Sequence, residues 1–142
     1  MKRIYTLSFL FFCFFLFSCS KDILKSYDKR IVGTWKISDV NRIGIGGNAS
    51  NLPFTSGTFT FYENGSLDYL NSANVIFKGS WDIVKKALGE ETVQSLQVTA
   101  VDFINQQVLS QYYDDIDFLS TDHFRATINT NFRNYVTHFR RQ

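Results

Sequence analysis

Hydrophobic and polar residues alternate along most of the chain after Ile31. Alternation with a period of two indicates β-strands that bury one face, and runs rich in Thr, Phe and Tyr that end at turn residues are typical of such strands. The evenly spaced runs predict about eight strands with no helix between them, and therefore an antiparallel sandwich or an up-and-down barrel. The predicted segments are 33–40, 56–70 (two strands), 75–84, 93–101, 112–120, 123–129 and 134–141.

The segment 63–65 (Glu-Asn-Gly) lies between two alternating runs and predicts a hairpin. A two-residue turn at Asn-Gly would mix polar and apolar side chains on each face. A three-residue turn with a left-handed glycine instead places Phe61 opposite Leu67 and Phe59 opposite Tyr69. Because a slip of one residue exchanges the faces of a strand, the hydrophobic pattern favours the three-residue turn.

Two segments depart from the alternation. Residues 22–31 carry apolar side chains near helical spacing and predict a short N-terminal helix that plugs one end of the fold. Residues 43–57 form the longest irregular stretch and contain four large apolar side chains, at Ile43, Ile45, Leu52 and Phe54. Loops of this length are often functional, so the stretch is expected either to cover an apolar mouth at the opposite end or to cap the core there.

The N-terminus has the features of a signal peptide. Lys2 and Arg3 precede an apolar run of 11 residues, 7–17, which is too short to cross a bilayer. The following residues, Leu16-Phe17-Ser18-Cys19, look like the lipobox of bacterial lipoproteins, in which a small residue precedes the cleavage site and the cysteine thiol receives lipid. The expected organisation is therefore a lipoprotein-type signal peptide (1–18), a lipidated tether with the short helix (19–30) and a β-domain (31–142).

Processing before Cys19 would discard Cys13, so no thiol would remain for disulfides, catalysis or metal binding. The next residues, Ser20-Lys21-Asp22, resemble the short tag behind the lipidated cysteine of surface lipoproteins in Bacteroidota. The expected location is the outer membrane, with the cell surface and the periplasmic face as alternatives.

The charge balance argues against a nucleic-acid partner. The full chain has 15 basic and 13 acidic residues, and Lys2 and Arg3 lie in the predicted signal peptide. The remaining domain is formally neutral and has no basic stripe that could neutralise phosphates.

Candidate catalytic chemistry is sparse. His123 and His138 lack metal-ligand spacing and are expected to be ordinary exposed side chains. Asp114, Asp115 and Asp117 could form a weak cation site, but without the glycine and later glutamate of a calcium loop they are better explained as a solvated strand. No Gly-x-Ser-x-Gly elbow is present. We therefore expect no enzymatic activity, no cofactor and no metal site.

Three short motifs resemble the lipocalin-like lipoproteins of Bacteroidota: Gly33-Thr34-Trp35, the Phe-x-x-x-Gly hairpin at 61–65, and Gly79-Ser80-Trp81. The resemblance implies a small up-and-down antiparallel β-barrel of about eight strands. It also implies that Trp35 packs under an arginine of the last strand, either Arg140 or Arg141, as a structural cap of the closed end.

Two functions are compatible with these features. The resemblance implies a non-enzymatic lipoprotein, anchored to the outer membrane through Cys19, that binds a small apolar ligand in the barrel. The ligand would contact Ile45, Leu52, Phe54, Phe59, Phe61, Tyr69, Phe77 and Trp81. The alternative is a structural or interaction lipoprotein whose barrel is filled by its own side chains and displays its loops to a protein or glycan partner.

Overall fold

The computed structural model describes residues 25–44, 51–89 and 91–142. The predicted signal peptide, Cys19 with the tag behind it, and segment 45–50 with Ile45 lie outside the described residues. The predicted N-terminal helix is present as α1 (Tyr27–Ile31). It is followed by β1 (Gly33–Gly44), β2 (Thr58–Phe61), β3 (Ser66–Leu70), β4 (Ile76–Leu88), β5 (Glu91–Asp102), β6 (Gln107–Tyr113), β7 (Asp115–Phe118), β8 (His123–Asn129) and β9 (Arg133–Arg141).

The strands form one antiparallel sheet in the order β6-β5-β4-β3-β2-β1-β9-β8-β7, which confirms the all-β prediction. Neighbours in the sheet are also neighbours in the chain, except that the first and last strands pair in its middle. The sheet has nine strands where about eight were predicted. The difference arises because segment 112–120, expected to be one strand, contains the end of β6 and all of β7.

The sheet is not closed into the predicted barrel by strand pairing. Within the described part of the chain, no ladder of backbone hydrogen bonds joins the edge strands β6 and β7. The two edges nevertheless meet, since only Asp114 separates β6 from β7. The Asp114 N–H donates to the Thr127 carbonyl of β8 at 2.8 Å. The Asp114 carbonyl accepts a hydrogen bond from Ser95 Oγ of β5, also at 2.8 Å. Asp114 thus forms hydrogen bonds to β8 on one side of the opening and to β5 on the other side. The sheet is therefore strongly curled.

The hairpin between β2 and β3 has the predicted register. Phe59 pairs with Tyr69 and Phe61 pairs with Leu67, so all four side chains point into the core. Gly65 has a φ of 79°, the left-handed conformation that a three-residue turn requires. The hydrophobic pattern alone was sufficient to choose between the two registers.

Paired strands are antiparallel, and β7 continues in the direction of β6, so the connections that reverse the chain alternate between two ends of the sheet. The helix end contains α1 and the connections β2–β3, β4–β5 and β7–β8. The loop end contains the connections β1–β2, β3–β4, β5–β6 and β8–β9. The described parts of the irregular stretch 43–57, residues 43–44 and 51–57, lie at the loop end, opposite the helix, as predicted.

The inner face of the sheet is a core of large side chains, many of them aromatic. Strand β4 approaches β5 closely at Gly79, where an added Cβ would lie 1.8 Å from the carbonyl oxygen of Thr99. A residue with any side chain would therefore force these strands apart. This close approach explains the glycine of the second Gly-x-Trp motif.

Candidate functional site

The helix end is organised around Trp35 and Arg141, which are direct partners across β1 and β9. The Arg141 guanidinium lies over the indole ring, with its Cζ 4.2 Å from the ring centroid. The same guanidinium donates to three backbone carbonyls, those of Arg30 (2.8 Å), Val32 (3.0 Å) and Thr121 (3.1 Å). One side chain thus joins the helix, the entry to β1, the β7–β8 connection and the last strand.

The carbonyls at the C-terminus of α1 are satisfied by this pair of side chains. Trp35 Nε1 donates to the Ile31 carbonyl at 2.6 Å, between the Arg30 and Val32 carbonyls that Arg141 binds. The last carbonyls of a helix lack partners within the helix, and a positive charge there is favourable. Trp35 and Arg141 therefore fix α1 against the end of the sheet.

Of the two arginines predicted to cap the closed end, Arg140 is not the partner of Trp35. It lies on the outer face of β9, directly opposite Lys36 of β1 and His123 of β8. The first Gly-x-Trp glycine, Gly33, has a φ of 125°, and a Cβ there would lie 2.5 Å from Arg141 Nη1. The motif glycine therefore leaves room for the guanidinium that stacks on the motif tryptophan.

Five of the eight residues predicted to line a ligand site are buried in the core, where they contact one another. The ring of Phe54 lies 5.1 Å from that of Phe59 and 4.9 Å from that of Tyr69. Phe59 stacks on Tyr69 at 4.6 Å and on Phe61 at 5.7 Å, and Tyr69 contacts Phe77 at 5.7 Å. These rings therefore pack against one another in the region where the ligand site was predicted.

The remaining predicted ligand residues lie at the edges of that core. Leu52 is half-buried and packs against it beside Phe54, so the second half of the β1–β2 connection caps the loop end. Trp81 is half-buried at the helix end, where its ring contacts Phe61 at 5.7 Å and its Nε1 donates to the Tyr62 carbonyl at 3.0 Å. These two residues lie towards opposite ends of the sheet.

The two histidines are a pair, which the sequence did not reveal. His123 Nε2 and His138 Nδ1 lie 3.2 Å apart, and both side chains are half-buried rather than exposed as predicted. The two nitrogens face each other at hydrogen-bond distance, and the ring centroids are 5.4 Å apart. In this arrangement the two nitrogens do not point towards a common position where a metal could bind. Burial, and then the positive charge of Arg140, lower the pKa of His123 and favour its neutral form.

The three aspartates around β7 are engaged by the protein. Asp117 pairs with Arg125 at 3.1 Å, and the Asp114 carboxylate accepts a hydrogen bond from the Asn129 N–H at 2.7 Å. Burial raises the pKa of Asp115. No cluster of three or more potential metal ligands occurs in residues 25–44, 51–89 and 91–142. In the same residues no helix is long and apolar enough to cross a membrane.

Three clefts open beside α1. Two of them, with volumes of about 410 and 550 Å³, are both lined by Lys25, Lys29, Val32 and Glu63. The third, of about 470 Å³, lies between the start of α1 and strands β4 and β5. The charged lining of the first two differs from the apolar walls that the ligand hypothesis requires.

Comparison with known proteins adds no relative: no family model, curated protein or solved structure matches the chain.

Proposed function

We propose that this protein is a non-enzymatic lipoprotein of the outer membrane that acts as an interaction module with a solid interior. Of the two functions that the sequence allows, this is the one that displays loops to a partner. The finer fold assignment belongs to the same proposal: a small lipocalin-like barrel whose opening is bridged at Asp114 instead of by a ladder.

The filled core is the observation that carries this proposal. Phe54, Phe59 and Phe61 are each 1% exposed, and Tyr69 is 3% exposed. The curled sheet is also plugged at both ends, by Phe54 at the loop end and by the Trp35–Arg141 pair at the helix end. Protein interiors are close-packed, so a ligand could enter only if several of these rings moved. Binding is therefore expected on the outside of the sheet.

An apolar fluorescent probe tests the solid interior against the ligand-binding function. We expect the wild-type domain, residues 20–142, to leave the probe emission unchanged. The Phe59→Ala variant serves as the control, because removal of a buried ring leaves an apolar cavity, and such cavities accept small apolar molecules. Stoichiometric binding by the wild type would favour the ligand-binding function and overturn the solid-interior proposal.

The anchor rests on Leu16 to Cys19 and has its own test. Cys19→Ser is expected to leave the precursor uncleaved and to abolish labelling by radioactive palmitate, whereas Cys13→Ser is expected to change neither. Labelling that persists in the Cys19 variant would remove the lipoprotein assignment. Access of external protease to the domain in intact cells then distinguishes the cell surface from the periplasmic face, with Lys21 and Asp22 changed to Ala to test the export tag.

A further inference from the structure

The loop end exposes the large apolar side chains of this protein. Among the described residues, the six most exposed large hydrophobic side chains all lie there, each at least 59% exposed, whereas the most exposed elsewhere is Leu119 at 50%. The six are Ile43, Ile76, Phe103, Ile104, Val108 and Phe132. Single exposed apolar residues are ordinary, but their concentration at one end marks an interaction surface.

The turns that present these side chains are held by hydrogen bonds. In the β5–β6 turn, the Asp102 carboxylate accepts from the Ile104 N–H at 2.9 Å and from Asn105 Nδ2 at 2.5 Å. In the β8–β9 turn, Thr130 bonds to the Arg133 carbonyl through both its N–H (2.9 Å) and its hydroxyl (2.6 Å). A surface fixed in advance loses little conformational entropy when it binds.

The polar residues of the loop end are mostly uncharged. Residues 41–44, 51–57, 70–76, 102–108 and 129–134 contain ten Asn and Gln side chains but only three ionisable ones, Arg42, Asp102 and Arg133. Asp102 is 2% exposed and is bonded within its own turn, so the charges offered to a partner are those of the two arginines. Arg42 is exposed, whereas Arg133 is half-buried and donates to the Tyr135 hydroxyl at 3.3 Å. Aromatic and arginine residues without lysine or glutamate are typical of the centre of a protein–protein interface.

We propose that the loop end is a protein-docking surface, and that its partner is a different protein with an apolar recess bordered by carboxylates. This inference rests on the proposed function and names the surface and the partner's chemistry. The apolar tips Phe103, Ile104 and Phe132 would fill the recess, and Arg42 and Arg133 would meet the carboxylates.

Two other occupants fit less well. A second copy of the chain, related by a two-fold axis, would bring Arg42 and Arg133 against the same residues with no exposed carboxylate to pair with them. A bilayer would have to accept ten amide side chains, which are costly to remove from water without partners. If Cys19 carries lipid, the eight residues up to Tyr27 span at most about 27 Å, so the anchor holds the helix end, not the loop end, near its own membrane.

Site-specific photocrosslinking in the native cells tests this surface with the full-length protein. p-Benzoyl-phenylalanine is placed at Phe103 or Phe132, and at Leu119 of the helix end as the matched control. We expect both loop-end positions to form an adduct with one protein, and the sequenced crosslinked peptides to be apolar and flanked by Asp or Glu. Arg42→Glu, alone and combined with Arg133→Glu, is expected to reduce the adduct about tenfold or more, because each reversal places like charges together.

The outcomes separate the surface from the function. Adducts with lipid, glycan or a second copy of this chain would overturn the inference, as would a protein adduct that is insensitive to both charge reversals. A protein adduct at Leu119 alone would overturn the loop-end surface while leaving the interaction function in place. No adduct at any of the three positions would count against both. Unfolding midpoints equal to that of the wild type show that the arginine variants remain folded.

Discussion

The two ends of the curled sheet use aromatic and arginine residues in opposite ways. At the helix end, Trp35 is fully buried and Arg141 lies over it with three backbone carbonyls as partners. At the loop end, Phe103 and Phe132 project into solvent, and Arg42 is exposed near the end of β1. The same residue types thus hold the fold together at one end and remain available for a partner at the other.

The largest expected difference between the ends is in stability. Trp35→Ala is expected to reduce the free energy of unfolding by about 3–5 kcal/mol, because it removes a large buried ring and the donor to Ile31. Phe132→Ala, the matched change at the loop end, is expected to alter it by less than about 0.5 kcal/mol, since that ring is 80% exposed. Chemical denaturation measures both, and equal losses would contradict the assignment of distinct roles to the two ends.

A double-mutant cycle sharpens the account of the helix end. Trp35→Phe combined with Arg141→Ala is expected to show a coupling energy of about 0.5–2 kcal/mol, because the guanidinium stacks on the indole. The same cycle with Arg140→Ala is expected to be additive, since Arg140 lies on the outer face. A coupling to Arg140 as large as that to Arg141 would show that the cap is organised differently in solution.

The histidine pair gives the helix end a dependence on pH. Burial and Arg140 lower the pKa of His123 in the folded protein, so the unfolded chain binds the proton more tightly. The contribution of His123 to stability is therefore fully present above its unfolded pKa of about 6.5, and it is lost as the pH falls through the lower folded value.

We expect the unfolding free energy to decrease between pH 7.5 and pH 5.5, and His123→Gln to make that decrease smaller. Denaturation curves across this range measure the effect. Parallel pH profiles for the wild type and the variant would show that His123 is not the group responsible.

The smallest expected effect is at the tip of the β5–β6 turn. Ile104→Ser is expected to change the free energy of unfolding by less than about 0.5 kcal/mol, because the side chain is 91% exposed and supports nothing beneath it. Denaturation measures this, with Ile31→Ser, at the buried last residue of α1, as the comparison. A loss of more than about 1 kcal/mol at Ile104 would mean that the tip is part of the core.

The register of the β2–β3 hairpin and the cap at the helix end could both be predicted, but for different reasons. The register of β2 and β3 follows from alternation alone, because only one register puts Phe59, Phe61, Leu67 and Tyr69 on the same face. The contact between Trp35 and an arginine of β9 was expected only through the family resemblance. Choosing Arg141 over Arg140 requires the pairing of β1 with β9.

Other features could not be read from the sequence because they depend on how distant segments meet. Phe103 and Ile104 follow the predicted strand 93–101, and only the turn held by Asp102 shows that both side chains project into solvent. Phe54 was expected either in a lid or in a cap of the core, and the sequence does not show that its ring packs against Phe59 and Tyr69. The break at Asp114 has no glycine or proline to mark it, so two strands appear as one.

The pairing of the first strand with the last has a consequence for folding during synthesis. Trp35 and Arg141 are partners although about one hundred residues separate them, and β9 lies between β1 and β8 in the middle of the sheet. A chain that is made N-terminus first presents β1 with an unpaired edge until β9 has emerged. A stop codon that removed β9 would divide the sheet into a six-stranded and a two-stranded piece, each with a new open edge. Chains that lack β9 are therefore expected to aggregate and to be degraded by proteases instead of forming smaller working domains.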